Sequence, residues 1–218
     1  MTARNVRCGC LATALALVLL AAATPGRAAA GTASAPAAAP TRAPAATARP
    51  PANVDVYATT DIGGGQQCLA GAAADRDGMH ERPVVYLARA GGGFLWHTQL
   101  PIPPDYYQGR ATHCAVRHDA VYVLVQMDTD SQQSTSQTLL RVVELDRRRG
   151  TLLASRDLAV PGVSSAYSAW VDEDGGHFGF AGGKLVISGT YELMSERDNP
   201  SGGAPTSFTV ALAADLRP

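Results

Sequence analysis

Three short acidic runs are the first places where chemistry could sit: Asp75-Arg76-Asp77-Gly78, Asp128-Thr129-Asp130 and Asp172-Glu173-Asp174-Gly175. Two carboxylates two residues apart before a glycine turn supply a fragment of the roughly six to eight oxygens that calcium takes. Asp172 and Asp174 form the best such fragment. No run continues to the closing bidentate Glu of a complete calcium loop, and Asp and Gly also dominate ordinary hairpin turns. The expectation is no resident cofactor, with calcium at Asp172 and Asp174 as the exception to test.

His113 and His118 bracket Cys114, with Asp119 adjacent, which invites a zinc or Cys–His reading. A His-x4-His pair needs a helix to bring both rings to one face, and in a strand this separation sends them to opposite faces. The spacing is of no known zinc type. His113 and His177 stand at similar places ahead of the strands that follow them, which fits a structural role. Many serines are present, among them Ser131, Ser164 and Ser168, but no G-x-S-x-G elbow accompanies them. The glycine runs 63–65 and 91–93 do not open helices, so no phosphate cradle is expected. Catalysis therefore has no complete constellation.

Contact chemistry is better represented. Tyr106 and Tyr107 follow the Pro-rich stretch 101–104, with Trp96 close by, and Tyr167 and Trp170 follow Pro161 in a matching place. Tyr and Trp are enriched at interface hot spots, and equally serve to plug the ends of a sheet stack. Trp96, Tyr106, Tyr107, Tyr167 and Trp170 are the expected binding residues.

The chain that must position these groups begins with an export signal. Arg4 and Arg7 precede the run Leu11–Ala23, Pro25 and Gly26 break it, and small residues follow at Ala28–Gly31. That run is shorter than the ~20 residues a membrane helix needs and reads as a secretory signal over 1–30. No membrane span is expected after processing. Residues 31–52 are rich in Ala, Pro and Thr and hold no large apolar side chain, as in a disordered linker. Residues 53–218 then make one domain.

Charge narrows the partner. Five of the 18 basic residues precede residue 53 and no acidic one does, so the domain carries 13 basic (18 − 5) against 19 acidic residues. A net charge of −6 (13 − 19) lacks the basic footprint of nucleic-acid binding and suits a basic partner or cation better. Cys68 and Cys114 follow the signal; in an exported chain an isolated pair is most simply a disulfide. The localisation expected is periplasmic or secreted.

The period throughout the domain is that of strands. In 185–193 and 207–212 apolar and polar residues alternate cleanly, whereas Val121–Val125 is apolar on both faces, as in a strand buried between layers. Sliding Pro83–Pro103 onto Arg141–Pro161 needs no gap and matches eight of 21 positions, including Val84/Val142, Gly92/Gly150, Leu95/Leu153 and Pro103/Pro161. The matched residues set a hairpin's register and ends, which favours a structural repeat. Gly183–Met194 with Ser207–Leu216 gives a partial third copy. Because the third copy has no last strand in sequence, Asn53–Thr60 is expected to supply it and close the sheet. The fold class is all-β, with about three antiparallel four-stranded units.

The hairpins ELDRRRGTLLASRDL and PVVYLARAGGGFLWHTQL resemble blades of bacterial β-propellers. The resemblance implies a propeller-like stack. Three units are fewer than the four blades at which propellers close, so an open propeller-like or sandwich arrangement is implied. The function expected is a non-catalytic envelope or secreted binding domain that meets a protein or envelope ligand through the inter-unit stretches 101–110 and 163–177. An inhibitor or immunity-type protein is a special case of it. The alternative is a metal-dependent envelope hydrolase working through an acidic loop.

Overall fold

The computed structural model describes residues 49–129, 136–195 and 204–216, all within the compact unit Arg42–Pro218. The segment expected as a signal over 1–30, positions 31–48 of the expected linker, and Asp130, Ser131 and Ser134 lie outside the described residues. The rest is all-β, in three antiparallel sheets. Sheet A runs β1 (Val54–Asp61), β2 (Gln66–Ala73), β3 (Arg82–Arg89), β4 (Phe94–Gln99). Sheet B runs β5 (Tyr106–Arg117), β6 (Ala120–Thr129), β7 (Thr138–Asp146), β8 (Leu152–Leu158). Sheet C holds β9 (Tyr167–Trp170), β10 (Phe178–Ala181), β11 (Lys184–Leu193) and β12 (Thr206–Leu212).

Sheet B is the middle layer. Val121, Val123 and Val125 of β6, with Val143 and Leu145 of β7, pack on Cys68, Ala70, Val85 and Leu87 of sheet A. The alternate residues Tyr122, Leu124, Leu140 and Val142 pack on Leu185, Ile187, Phe208 and Leu212 of sheet C. A strand apolar on both faces has this one stable place, because each face removes large aliphatic side chains from water at about 1.5–3 kcal/mol apiece. The disulfide Cys68–Cys114 crosses the A–B layer from β2 to β5, with Cα atoms 6.2 Å apart.

The repeat is real, with one correction to its register. In sheet A the β3–β4 pairing shifts between Leu87 and Ala88, leaving Leu95 as the extra residue. In sheet B the β7–β8 pairing shifts between Glu144 and Leu145, leaving Leu153 extra. The outer strands thus align with Leu95 on Leu153, as in the gapless slide, but β3 and β7 align with Leu87 on Glu144, one position short of it. Val85 corresponds to Val142, not Val143, and both face the next sheet. The gapless slide misses this because the second hairpin turn holds one residue more. The first strands agree as well: Tyr57 in β1 and Thr112 in β5 are both bulged.

Two further expectations are revised. Val54–Asp61 does not close the third unit; it pairs with β2 as the first strand of sheet A. The first strand of sheet C is split: β9 pairs with Thr190–Leu193 of β11, and β10 with Lys184–Ile187. Residues 171–177 loop out between them, at the place where β1 and β5 carry bulges.

Candidate functional site

Of the five aromatic residues expected at a binding surface, two converge. Tyr106 opens β5 and Tyr167 opens β9, so the stretches that join successive sheets deliver both to the seam between sheets B and C. Neither lies in a loop; each is the first residue of a strand. Together with Leu139, Asp157, Leu158 and Ala159 they line a cleft of about 260 Å³. Tyr167 is fixed by its hydroxyl, which accepts from Val160 N at 3.2 Å and faces Leu158 O at 3.4 Å. Tyr106 has no such tether among the described hydrogen bonds. Burial first, and then the nearby Asp157 carboxylate, pushes its phenol pKa up, so Tyr106 stays a neutral donor. Asp157 is itself held by Arg141 Nε at 2.6 Å. The cleft therefore offers an apolar floor, two phenol rims and one partly neutralised carboxylate.

The other three aromatics are elsewhere. Trp96 lies in the A–B layer and donates through Nε1 to Arg147 O at 2.9 Å. Tyr107 is the extra residue of a β5 bulge, and its ring lies 4.6 Å from that of His80. Trp170 lines a second cleft of about 380 Å³ with Arg110, Gln126, Asp172 and Glu173. Tyr167 and Trp170 are three residues apart in one strand, so they face opposite sides.

Beneath the second cleft runs a chain of buried polar groups that sequence reasoning missed. Gln126 Nε2 donates to Val171 O at 3.1 Å and to Thr112 Oγ1 at 3.3 Å. Thr112 Oγ1 is 3.0 Å from His113 Nδ1, and His113 Nε2 is 2.8 Å from Asp172 O. Since a carbonyl only accepts, Nε2 carries the proton and Nδ1 accepts from the Thr112 hydroxyl. Burial holds the His113 pKa below its ordinary value, which keeps the ring in this neutral form. A partial signal was present: Gln126 interrupts the apolar run Ala120–Met127 of β6, whereas β5 is too mixed in polarity to single out Thr112 and His113.

Asp172 is used through its backbone, and Asp174 Oδ1 sits 3.2 Å from His177 Nε2. No group of three or more His, Cys, Asp or Glu side chains gathers as a metal site among the described residues. Asp75 is likewise engaged by its own turn, accepting from Asp77 N and Met79 N and meeting His80 Nδ1 at 2.8 Å. Asp128 accepts from Gln108 Nε2 and Thr138 Oγ1 and faces Arg110 at 3.5 Å.

His177 Nδ1 also lies 3.0 Å from Ser188 Oγ. Ser188, His177 and Asp174 thus form a hydroxyl–imidazole–carboxylate string, the order of groups in a nucleophilic triad. Acyl transfer also needs N–H donors for the developing oxyanion. The N–H of Ser188 is committed to His177 O at 2.9 Å, so the string fastens β10 and its loop to β11. His113 and His177 do occupy equivalent places, opposite Leu124 and Ser188 of their neighbouring strands.

No protein-family model matches this chain, and no curated protein matches it in sequence.

Proposed function

We propose that the chain is an exported, non-catalytic binding domain of a bacterial envelope or extracellular space, and that it takes a protein or envelope ligand at the Tyr106–Tyr167 cleft. One observation carries the reading: two tyrosines from different sheets, each at the start of its own sheet, line the same cleft at a sheet seam. Tyrosine supplies large, rigid contact area with a polar tip, as binding hot spots require. The net negative charge favours a ligand with basic groups. The Cys68–Cys114 disulfide supports an oxidising compartment. Among the described residues no helix is long and apolar enough to cross a membrane.

The test is site-specific photocrosslinking. A photoreactive amino acid is placed at Tyr106, and in a second protein at the exposed Leu95, and each is irradiated with envelope fractions. A discrete adduct from position 106 alone, lost on adding Tyr167→Ala, supports the proposal. Equal adducts from both positions, or none from 106, would remove it.

A further inference from the structure

Gln126 holds a place in sheet B that the repeat fills with smaller side chains. Ala70 faces Val85 and Leu124 faces Val142, so the position two residues on is Ala72 in sheet A and Gln126 in sheet B. In sheet C, where Ser188 takes the place of Leu124, it is Thr190. Stacking of the sheets does not itself require an amide here. Gln126 is nonetheless only 3% exposed, and its amide can point one way only. Nε2 uses both hydrogens, on Val171 O at 3.1 Å and on Thr112 Oγ1 at 3.3 Å. Turning the amide over would set two acceptors together at Val171. Oε1 is therefore fixed, buried and without a hydrogen-bond partner among the described residues. Buried acceptors are nearly always satisfied, because an unmet lone pair leaves its desolvation uncompensated.

The amide ends beside Val171, and both residues line the cleft of about 380 Å³ that also holds Trp170, Asp172 and Glu173. Trp170 is half-buried there, while Asp172 and Glu173 stand exposed in the stretch that leaves β9. Neither carboxylate enters an ion pair among the described residues. Arg110, the cation of the lining, is already set against Asp128 at 3.5 Å. The cleft is thus rich in acceptors and negative charge beside an aromatic ring. An indole face attracts a cation. A planar guanidinium stacks on such a face and offers a carboxylate two parallel N–H bonds, with further N–H groups left for another acceptor. An ammonium is a compact, strongly hydrated charge and fits the same partners less well.

We propose that this cleft binds a guanidinium group, laid on the Trp170 indole, paired with Asp172 and Glu173, and donating to Gln126 Oε1. The loop that carries the two acids is set from beneath, since Gln126 Nε2 holds Val171 O and His113 Nε2 holds Asp172 O. A guest N–H at Oε1 completes that buried chain. The site stands apart from the Tyr106–Tyr167 cleft, because Tyr167 and Trp170 face opposite sides of β9, and it does not rest on the function assigned to that cleft.

The probe is Nα-acetyl-arginine amide, whose only charge is its guanidinium, titrated into the isotope-labelled full chain. NMR follows the side-chain amide of Gln126 and the indole N–H of Trp170. Saturation with a dissociation constant of about 1 mM is expected for a ligand of this size, with both resonances moving together. The lysine analogue should bind about tenfold more weakly, and the uncharged isostere made from citrulline should leave both resonances in place. Asp172→Asn with Glu173→Gln leaves the loop backbone as it is and should weaken binding about tenfold. Tyr106→Ala with Tyr167→Ala should not change it. A pentapeptide with one central arginine separates two sources of the group: tighter binding than the capped amino acid supports a protein side chain, equal binding a small molecule. Absence of saturation to about 10 mM overturns the proposal, as do citrulline or lysine analogues that bind as well as arginine. So would shifts that spare the Gln126 amide, acid-to-amide variants that bind as tightly as the parent, or loss of binding in the Tyr106, Tyr167 variant.

Discussion

The indole nitrogen of Trp96 donates to the backbone oxygen of Arg147 across the A–B layer, at 2.9 Å and 51 residues apart. The same acceptor position recurs one sheet further on. Ala214, equivalent to Arg147 when Val210 is set on Val143 by strand pairing, accepts from Tyr122 Oη. In sheets B and C the carbonyl just past the third strand is thus tied to the preceding sheet by an aromatic donor, although the donors come from different strands. Trp96→Phe keeps most of the packing and orphans the Arg147 carbonyl, so a loss of about 1 kcal/mol is expected. Urea unfolding checks it; an unchanged midpoint would mean that the bond contributes nothing.

Gly150 sits under the same indole. A Cβ there would lie 2.5 Å from Trp96 Cε3 and 2.7 Å from Thr98 Oγ1, on a backbone with φ of +69°. Gly150→Ala combines a clash with left-handed strain, and about 2 kcal/mol or more should be lost. Gly93→Ala, in the equivalent turn and with nothing near its Cβ position, should cost well under that in the same denaturant series.

The disulfide joins sheets rather than neighbouring strands, which gives it more to constrain. With Cys68 and Cys114 separated by 46 in sequence, the chain-entropy model assigns the crosslink about 4 kcal/mol. The Cys68→Ala, Cys114→Ala pair should unfold at a correspondingly lower urea concentration than the oxidised protein. A midpoint shift equal to that of an ordinary surface double mutant would contradict this.

Much of this fold was legible because its elements are local. Strand alternation in β11 and β12, the two-faced β6 and the turn chemistry of the hairpins are written in consecutive residues. The disulfide followed from there being only two cysteines, Cys68 and Cys114, beyond the first ten residues. What stayed hidden was relational. Alternation makes Val54–Asp61 a strand but does not choose its neighbour, so its pairing with β2 was mistaken for closure of sheet C. A gapless slide could not detect the one extra residue in the turn before Leu152, which moves β7 by one and exchanges its faces. Tyr106 and Tyr167 could be flagged by type, whereas their meeting in one cleft depends on how sheets B and C stack. Residue type equally marks Trp96, whose indole nitrogen donates to the Arg147 carbonyl, a contact that type alone does not reveal.

Two phenols report on the same packing. Burial, followed by the Glu81 carboxylate, pushes Tyr57 up to about 12; burial and then Glu144 does the same for Tyr122. A raised phenol pKa favours the folded state below pH 10, and that advantage is lost as pH climbs from 10 to about 12. Absorbance titration of the native chain should show Tyr57 and Tyr122 ionising last, at about pH 12, with Tyr86 and Tyr106 also displaced upward by burial. Glu81→Gln should bring Tyr57 down while leaving Tyr122 in place, and a titration curve identical to that of the parent would refute the assignment.

His113 makes the loop at 171–177 sensitive to acid. Both ring nitrogens are used in the neutral form, by Thr112 Oγ1 and by Asp172 O, and the ring is only 3% exposed. Around it stand the Phe178 ring at 5.8 Å and the charges of His177, Asp174 and Asp172, of which the carboxylates partly oppose the effect of burial. The folded pKa lies below the ordinary 6.5. The unfolded chain therefore takes up the proton first as pH falls through 6.5, and stability drops until the folded ring also protonates. Above pH 6.5 both states are neutral and the contribution of His113 is constant. His113→Gln should flatten the stability profile in the window just below 6.5, measured as the parent-minus-variant difference so that the other histidines cancel. Protection of the amides in 171–177 against hydrogen exchange should fall in the parent over that same window and not in the variant. If the two profiles run parallel from pH 7.5 to 5, the imidazole does not hold the loop.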